Sequence, residues 1–103
     1  MDESHQIDIP ESFMALYMPP GKHKPTQPWR EVLRRYELCE DLAQMLIEPT
    51  TSQQLQQDLP PQAALTHCLQ GLRESPEVVN PDEAQWVVTR LAELLDWPAP
   101  EHP

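Results

Sequence analysis

The chain has 103 residues, 39% of them hydrophobic, and carries 17 acidic against 7 basic side chains, for a formal net charge of −10. This length fits one small domain with a modest core, and the negative charge disfavours binding to nucleic acid or to anionic lipid. No apolar run reaches the roughly 18 residues of a membrane-spanning helix, and the acidic N-terminus lacks the features of a signal peptide.

Thirteen prolines and only two glycines indicate helices rather than strand hairpins. Proline is typical of the first turn of a helix and of the residues after its end, whereas hairpin turns prefer glycine and asparagine. Val78 and Val79 form the one short strand-like stretch, and two residues are too few for a strand. We therefore expect an all-α fold.

The first predicted helix is short and covers about residues 10–18. It begins at Pro10, which suits a first-turn position, and it places Phe13 and Tyr17 on the same face. Pro19 is expected to end it, because the residue before a proline disfavours the helical conformation.

The longest predicted helix covers about residues 27–48. Its apolar side chains recur every three or four residues from Trp29 to Ile47, which gives one wide apolar face, and Pro49 is expected to end it. The glutamine-rich stretch 52–57 is compatible either with one or two helical turns or with irregular structure.

Two further helices are predicted at about residues 60–74 and 81–96. The second has the strongest local signal in the chain: Asn80 is a good N-cap, Pro81 suits the first turn, and Glu83 stands three residues after the cap.

Together these elements predict a small helical bundle of three main helices plus the short N-terminal helix. We expect a single domain over residues 8–98, with flexible tails at residues 1–7 and 99–103.

Cys39 and Cys68 lie 29 residues apart within segments of helical apolar periodicity. This placement is typical of small buried side chains in a reducing compartment and not of a disulfide framework. We therefore expect a cytoplasmic protein.

Gly21 and Lys22 are similar to the end of a phosphate-binding loop. Such a loop also needs a glycine five positions before its last glycine and a Ser or Thr after the lysine, but Leu16 and His23 occupy those positions. The sequence therefore does not predict a phosphate-binding loop here.

Five of the seven basic residues fall within residues 22–35, which we call the basic segment. It is the candidate partner- or anion-binding site, formed by Lys22, Lys24, Trp29, Arg30, Arg34 and Arg35. The alternative is a solvated helix face on which Glu31 pairs with Arg35 and Glu37 pairs with Arg34.

The sequence contains no complete catalytic or metal-binding set. The long helix has acidic residues at the ordinary spacing of an exposed face, namely Glu37, Glu40, Asp41 and Glu48. His67 and Cys68 are adjacent, so on a helix they point about 100° apart and do not readily chelate one ion. A nucleophilic Cys39–His67 pair is disfavoured, because burial makes a thiol inert. We predict no catalytic residue, no metal site and no cofactor.

Several large apolar side chains favour another protein as the partner, since methionine and aromatic residues are enriched at interfaces. They are Phe13, Met14, Tyr17, Met18, Trp29 and Trp97. The same side chains also suit an ordinary core. Because a chain of this size has a thin core, a homodimer is a second expectation. A membrane partner is not expected, and nucleic acid is disfavoured by the net charge.

Three stretches of the chain carry a resemblance to a known family. They read PESF at residues 10–13, RYELCEDLAQ at residues 35–44, and EAQWVV with RLAELL within residues 83–95. Over about residues 8–98 the chain resembles a family of short, uncharacterised, all-helical proteobacterial proteins, sometimes labelled as ATPases with chaperone activity. The shared stretches are helix faces and contain no Walker-type loop.

These observations favour a non-enzymatic protein–protein interaction or regulatory module. One alternative, which the family label implies, is a nucleotide- or phosphate-linked enzyme or chaperone-type ATPase that uses Lys22, Lys24, Arg30 and Arg34. Another alternative is nucleic-acid binding through the basic segment.

Overall fold

The computed structural model describes residues 9–22 and 24–100. These residues form helices and turns, and no strand occurs among them. The α-helices are α1 (Glu11–Met14), α2 (Trp29–Met45), α3 (Ile47–Gln57), α4 (Pro61–Arg73) and α5 (Pro81–Leu95), and a 3₁₀ turn (Ala15–Tyr17) follows α1. The prediction of an all-α fold is confirmed for this part of the chain. The predicted tail 1–7 and residues 101–103 of the predicted C-terminal tail lie outside the described residues.

The chain divides into two compact units, Met1–Leu38 and Cys39–Pro103. In the first unit, Phe13 is fully buried. Its ring lies 5.7 Å from that of Tyr17 and 5.6 Å, edge to face, from that of Tyr36. Helices as short as α1 are not stable alone, so the aromatic contacts of Phe13 stabilise this one.

Backbone hydrogen bonds within the first unit stabilise the loop between the 3₁₀ turn and α2. The amide of Lys22 donates to the carbonyl of Pro19 (3.1 Å), and the amide of Thr26 donates to the carbonyl of Tyr17 (2.6 Å). Gly21 lies at the turn with φ of 74°, a conformation that favours glycine. Lys22 and Lys24 therefore project from a loop that is tied down at both ends.

The long helix predicted over residues 27–48 is shorter than expected, because α2 ends at Met45 and α3 begins at Ile47. Pro49 lacks the N–H group that would bond the Met45 carbonyl in a continuous helix. It is tolerated in the first turn of α3, where amide groups have no partner within the helix. Proline thus separates two helices here but stands inside the second one, and the open question about residues 52–57 is resolved in favour of a helix.

The core of the second unit is built around α4 and α5. Leu65, Val88, Leu91 and Ala92 are buried to 1% exposure or less. Partly buried side chains that pack against this cluster are Leu46, Ile47, Cys68, Leu69, Leu72, Leu95 and Trp97. Burial of one leucine side chain stabilises a fold by about 1.5–3 kcal/mol, so this cluster is the main source of stability in the unit.

α5 begins with the capping box that the sequence predicts. The Asn80 side chain accepts a hydrogen bond from the Glu83 amide (2.8 Å), and the Asn80 amide donates to Glu83 Oε1 (3.0 Å). Pro81 occupies the first turn, and Glu83 is fully buried. The helix ends where Asp96 adopts the left-handed conformation, with φ of 59°, and the Trp97 amide then bonds the Ala92 carbonyl (2.9 Å).

Replacing the cap tests this local account. Asn80→Ala removes the acceptor of the Glu83 amide, and we expect the free energy of unfolding to fall by about 1 kcal/mol. Asn80→Ser keeps a capping oxygen and serves as the control, with a change of only a few tenths of a kcal/mol. Urea denaturation followed by circular dichroism measures both variants. An equal loss in the two variants would show that the cap does not stabilise α5.

Candidate functional site

The six residues of the predicted basic site all lie in the first unit. Lys22 and Lys24 lie in the loop before α2, Trp29 is the first residue of α2, and the three arginines follow on that helix. Arg30 and Arg34 are one turn apart, and both are exposed. Lys22 and Lys24 are exposed as well, whereas Arg35 is half-buried.

Arg34 is engaged by its own helix. Its Nε and Nη2 atoms donate to the two carboxylate oxygens of Glu31 at 3.1 and 2.7 Å. This hydrogen bond and the charge of Glu31 raise the pKa of the Arg34 guanidinium. The pairing expected for a solvated helix face therefore occurs, but with Glu31 as the partner of Arg34 in place of the expected Glu37.

Lys22, Lys24 and Arg30 differ from Arg34 in this respect. Among the described residues, none of these three side chains has an ion-pair or hydrogen-bond partner. Arg30 lies in the first turn of α2 and the two lysines precede that helix in sequence, so the positive end of the helix dipole adds to the charge of Arg30. The basic segment therefore presents positive charge that no described acidic residue neutralises.

Trp29 is exposed over 48% of its surface, which separates it from the other large aromatic side chains. Phe13 is fully buried and Trp86 is 8% exposed, while Tyr17 and Trp97 are half-buried. Of the apolar residues that the sequence proposes for a partner surface, Trp29 is thus the aromatic one that the fold leaves open to solvent.

The acidic residues of α2 do not form a cation site in the structure. Glu40 is held by Arg90 of α5, whose Nε and Nη2 atoms donate to Glu40 Oε1 and Oε2 at 2.9 and 3.2 Å. Gln44 donates to Glu40 Oε2 at 3.0 Å, and Arg90 also donates to Glu93 at 3.0 Å. Within the part of the chain that the structure describes, no group of three or more His, Cys, Asp or Glu side chains is placed to hold a metal ion.

Opposing effects act on the pKa of Glu40. Partial burial raises it, and the hydrogen bonds from Arg90 and Gln44 together with the charge of Arg90 outweigh that effect, so the pKa lies below its ordinary value. The charged form of Glu40 therefore stabilises the folded state, and this carboxylate is structural.

A groove of about 290 Å³ lies between α3 and α4, and the sequence did not predict it. Leu46, Pro49 and Leu72 form apolar parts of its wall, whereas Thr50, Gln53 and His67 provide polar groups. Cys68 and Gly71 complete the lining. We call this feature the α3–α4 groove. The sequence gives only a weak indication of this groove, because predicting it requires residues 47–57 to be recognised as a helix.

Cys68 is the half-buried thiol in the wall of the groove. Burial raises its pKa, and the hydrogen bond that the buried Thr50 hydroxyl donates to the sulfur (3.9 Å) offsets only part of this effect. The thiol is therefore protonated at neutral pH and is a weak nucleophile. Cys39, by contrast, is fully buried.

His67 and Gln53 lie together at the groove. Gln53 Nε2 is 3.4 Å from His67 Nδ1. Either imidazole tautomer lets this pair place both a hydrogen-bond donor and an acceptor at the groove.

Gly71 has no conformational or packing reason to be glycine. It lies within α4, its φ is not positive, and a Cβ atom built on it would meet nothing within 4 Å. Glycine inside a helix is destabilising relative to alanine by roughly 0.5–1 kcal/mol. The chain therefore carries a destabilising residue at the wall of the groove without a compensating contact inside the described structure.

Comparisons with protein-family models, with curated proteins and with solved structures gave no significant match. In the described residues, no helix is both long and apolar enough to cross a membrane. The function of the chain is therefore inferred from its own residues.

The Glu40–Arg90 contact gives a prediction about pH. The pKa of Glu40 is lowered by folding, so its stabilising effect is present above the unfolded-state pKa and is lost as the pH falls through the folded-state pKa. We expect Glu40→Gln to lower the free energy of unfolding by about 1 kcal/mol at neutral pH and by much less under acidic conditions. Glu93→Gln is the control, because the Glu93 side chain is 63% exposed. Urea denaturation at neutral and at acidic pH measures the free energy of unfolding of both variants. Equal effects of the two substitutions would contradict a stabilising role of the Glu40–Arg90 contact.

Gly71 gives a prediction of opposite sign. We expect Gly71→Ala to raise the free energy of unfolding by about 0.5–1 kcal/mol, because the new methyl group enters open space and the helix gains a better former. Gly21→Ala is the matched control, and it should destabilise the protein because of its positive φ. Thermal and urea denaturation measure both. A loss of stability in Gly71→Ala would reveal a contact at this position that the structure does not contain.

Proposed function

We propose that the chain is a small helical-bundle module that binds another protein without catalysing a reaction, and that the basic segment docks an acidic stretch of that partner. The observation that carries this proposal is the exposure of Lys22, Lys24 and Arg30, on both sides in sequence of an exposed Trp29, without a described acidic partner for any of the three cations.

The composition of the basic segment is that of a protein-binding surface. Tryptophan and arginine are the residue types most enriched among those that dominate binding energy at interfaces. The indole of Trp29 offers apolar area that would leave water on binding, and the nearby cations give the contact its polarity. An acidic partner segment with one apolar side chain matches both features.

The charge distribution of the chain supports a short acidic partner over nucleic acid. Residues 22–35 carry five basic residues and one acidic residue, whereas residues 39–103 carry eleven acidic and two basic residues. Surface charges are screened beyond about 8 Å at physiological ionic strength, so a short segment can pair with the basic segment alone. A duplex carries many more charges than such a segment, and the net charge of −10 on the chain disfavours binding it.

The cysteines support a reducing compartment. Cys39 and Cys68 are both thiols in the structure, on α2 and α4. Disulfides are rare in the cytoplasm, where thiols persist. We therefore place the proposed binding activity in the cytoplasm.

The proposal predicts binding of an acidic peptide. The probe is a dye-labelled peptide rich in Glu and Asp with one Trp, titrated with the full chain and followed by fluorescence anisotropy. We expect saturable binding that weakens as salt is added, and a loss of at least about tenfold in affinity in the Trp29→Ala, Arg30→Glu double variant. The control is Arg73→Glu, which makes the same charge change at an exposed arginine of α4. Absence of peptide binding, or an equal loss in the control, contradicts the proposal.

Two further assays, of phosphate release from ATP and of DNA binding, separate the alternatives. Release of phosphate from ATP and Mg²⁺ that is abolished by Lys22→Ala or Lys24→Ala would favour the enzyme that the family label implies. Binding of duplex DNA that is tighter than binding of the acidic peptide would favour nucleic-acid recognition. Either outcome overturns the assignment of the basic segment to an acidic protein partner.

A further inference from the structure

A second site is indicated in the other unit of the chain, at the α3–α4 groove. It is independent of the basic segment, because all eight residues that line it lie between Leu46 and Leu72. Three of its properties decide what it can hold: its size, its lack of charged side chains, and the glycine in its wall.

The size of the groove sets the size of an occupant. An apolar cavity of about 150 Å³ is enough for benzene, and ligand pockets usually begin at about 300 Å³. A groove of about 290 Å³ therefore suits a molecule with one or two rings. It is too small for a nucleotide with its phosphates.

The lining selects against anionic ligands. None of the residues that form the groove is Asp, Glu, Lys or Arg. The surrounding unit is strongly acidic, with eleven acidic against two basic residues between positions 39 and 103. An anionic ligand would therefore find no cation in the groove and would be repelled by the unit around it.

The polar groups select for a hydrogen-bonding group on an apolar body. Gln53 carries an amide oxygen that accepts and an amide N–H₂ group that donates, and the His67 ring lies 3.4 Å from that amide nitrogen. A phenol hydroxyl does both, while its ring can lie against Leu46, Leu72 and the Cys68 sulfur, which belong to the same wall.

Gly71 leaves the exposed wall of the groove without a side chain, at a cost in helix stability. Any other side chain at this position would project into space that is empty in the structure, and no internal contact requires glycine there. Glycine is the usual residue where a ligand approaches a backbone closely. This observation is independent of the volume of the groove and agrees with an occupant that lies against α4.

We propose that the α3–α4 groove is a binding site for a small uncharged aromatic compound that carries one hydroxyl or N–H group, with the ring between α3 and α4 and the polar group at Gln53 and His67. The site is non-covalent, since the Cys68 thiol is held protonated beside Thr50.

Phenol and indole are the probes for this site, and benzoate is the charged control. Titration of the uniformly ¹⁵N-labelled full chain should give saturable amide shifts confined to residues 46–53 and 67–72 with phenol or indole, and none with benzoate. Cys68 gives a second readout, because an occupant shields the half-buried thiol, whereas Cys39 is fully buried. With probe at four times its Kd, alkylation of Cys68, followed by peptide mass spectrometry, should slow about fivefold.

Gly71→Met is the decisive variant, because its side chain fills the groove from a position where a Cβ meets no atom within 4 Å. We expect it to abolish both the shifts and the protection of Cys68, while Gln70→Met, at the exposed neighbouring position on α4, changes neither. If circular dichroism shows that Gly71→Met loses helicity, Gly71→Ala replaces it in these measurements. We then expect a smaller loss of affinity for phenol and indole.

Three outcomes would overturn the proposal. Phenol and indole could give no saturable shift at the groove, or Gly71→Met could bind them as the unmodified chain does. Sedimentation could also show a dimer that Gly71→Met converts to a monomer, in which case a second copy of the chain and not a small molecule occupies the groove.

Discussion

Proline lacks a backbone N–H group, and this single absence determines where the helices of the second unit begin. Pro61 and Pro81 are the first residues of α4 and α5, where an amide would have no partner within the helix. Pro49 stands in the first turn of α3 for the same reason, and it leaves the Met45 carbonyl without its helical donor. The chain therefore forms several short helices, and their stability depends on packing and not on length.

The α3–α4 groove lies beside the junction between α2 and α3, and Pro49 is one of its lining residues. Because α2 ends at Met45, α3 runs separately and contacts α4. Leu46, the residue between α2 and α3, packs against the core cluster and also lines the groove. Thr50, one turn further along, is buried and donates to Cys68.

The sequence was sufficient for features that depend on neighbouring residues. The capping box at Asn80 and Glu83 and the first-turn prolines are local, and the structure has them as predicted. The end of the long helix was placed wrongly, because proline is compatible both with the residue after a helix and with the first turn of the next one. The partner of Arg34 was also not predictable, since Glu31 and Glu37 are both three residues away and only the geometry selects Glu31. The groove and the Glu40–Arg90 contact join residues far apart in sequence, and no local pattern indicates them.

Trp29 and Gly71 are each unfavourable for folding, and each belongs to one of the two proposed sites. A chain with 39% hydrophobic residues has little apolar area to spare, yet Trp29 keeps 48% of its surface in water while Phe13 and Trp86 are buried. Gly71 likewise weakens α4 where a Cβ would meet nothing. Natural sequences agree with their fold at most positions, and disagreements concentrate at functional sites. Under the two proposals, a partner protein covers Trp29 and a small molecule lies against Gly71. Trp29 belongs to the basic segment, in which Lys22, Lys24 and Arg30 have no ion-pair partner among the described residues. Gly71 belongs to a groove without Asp, Glu, Lys or Arg. The two sites therefore require occupants of different chemistry.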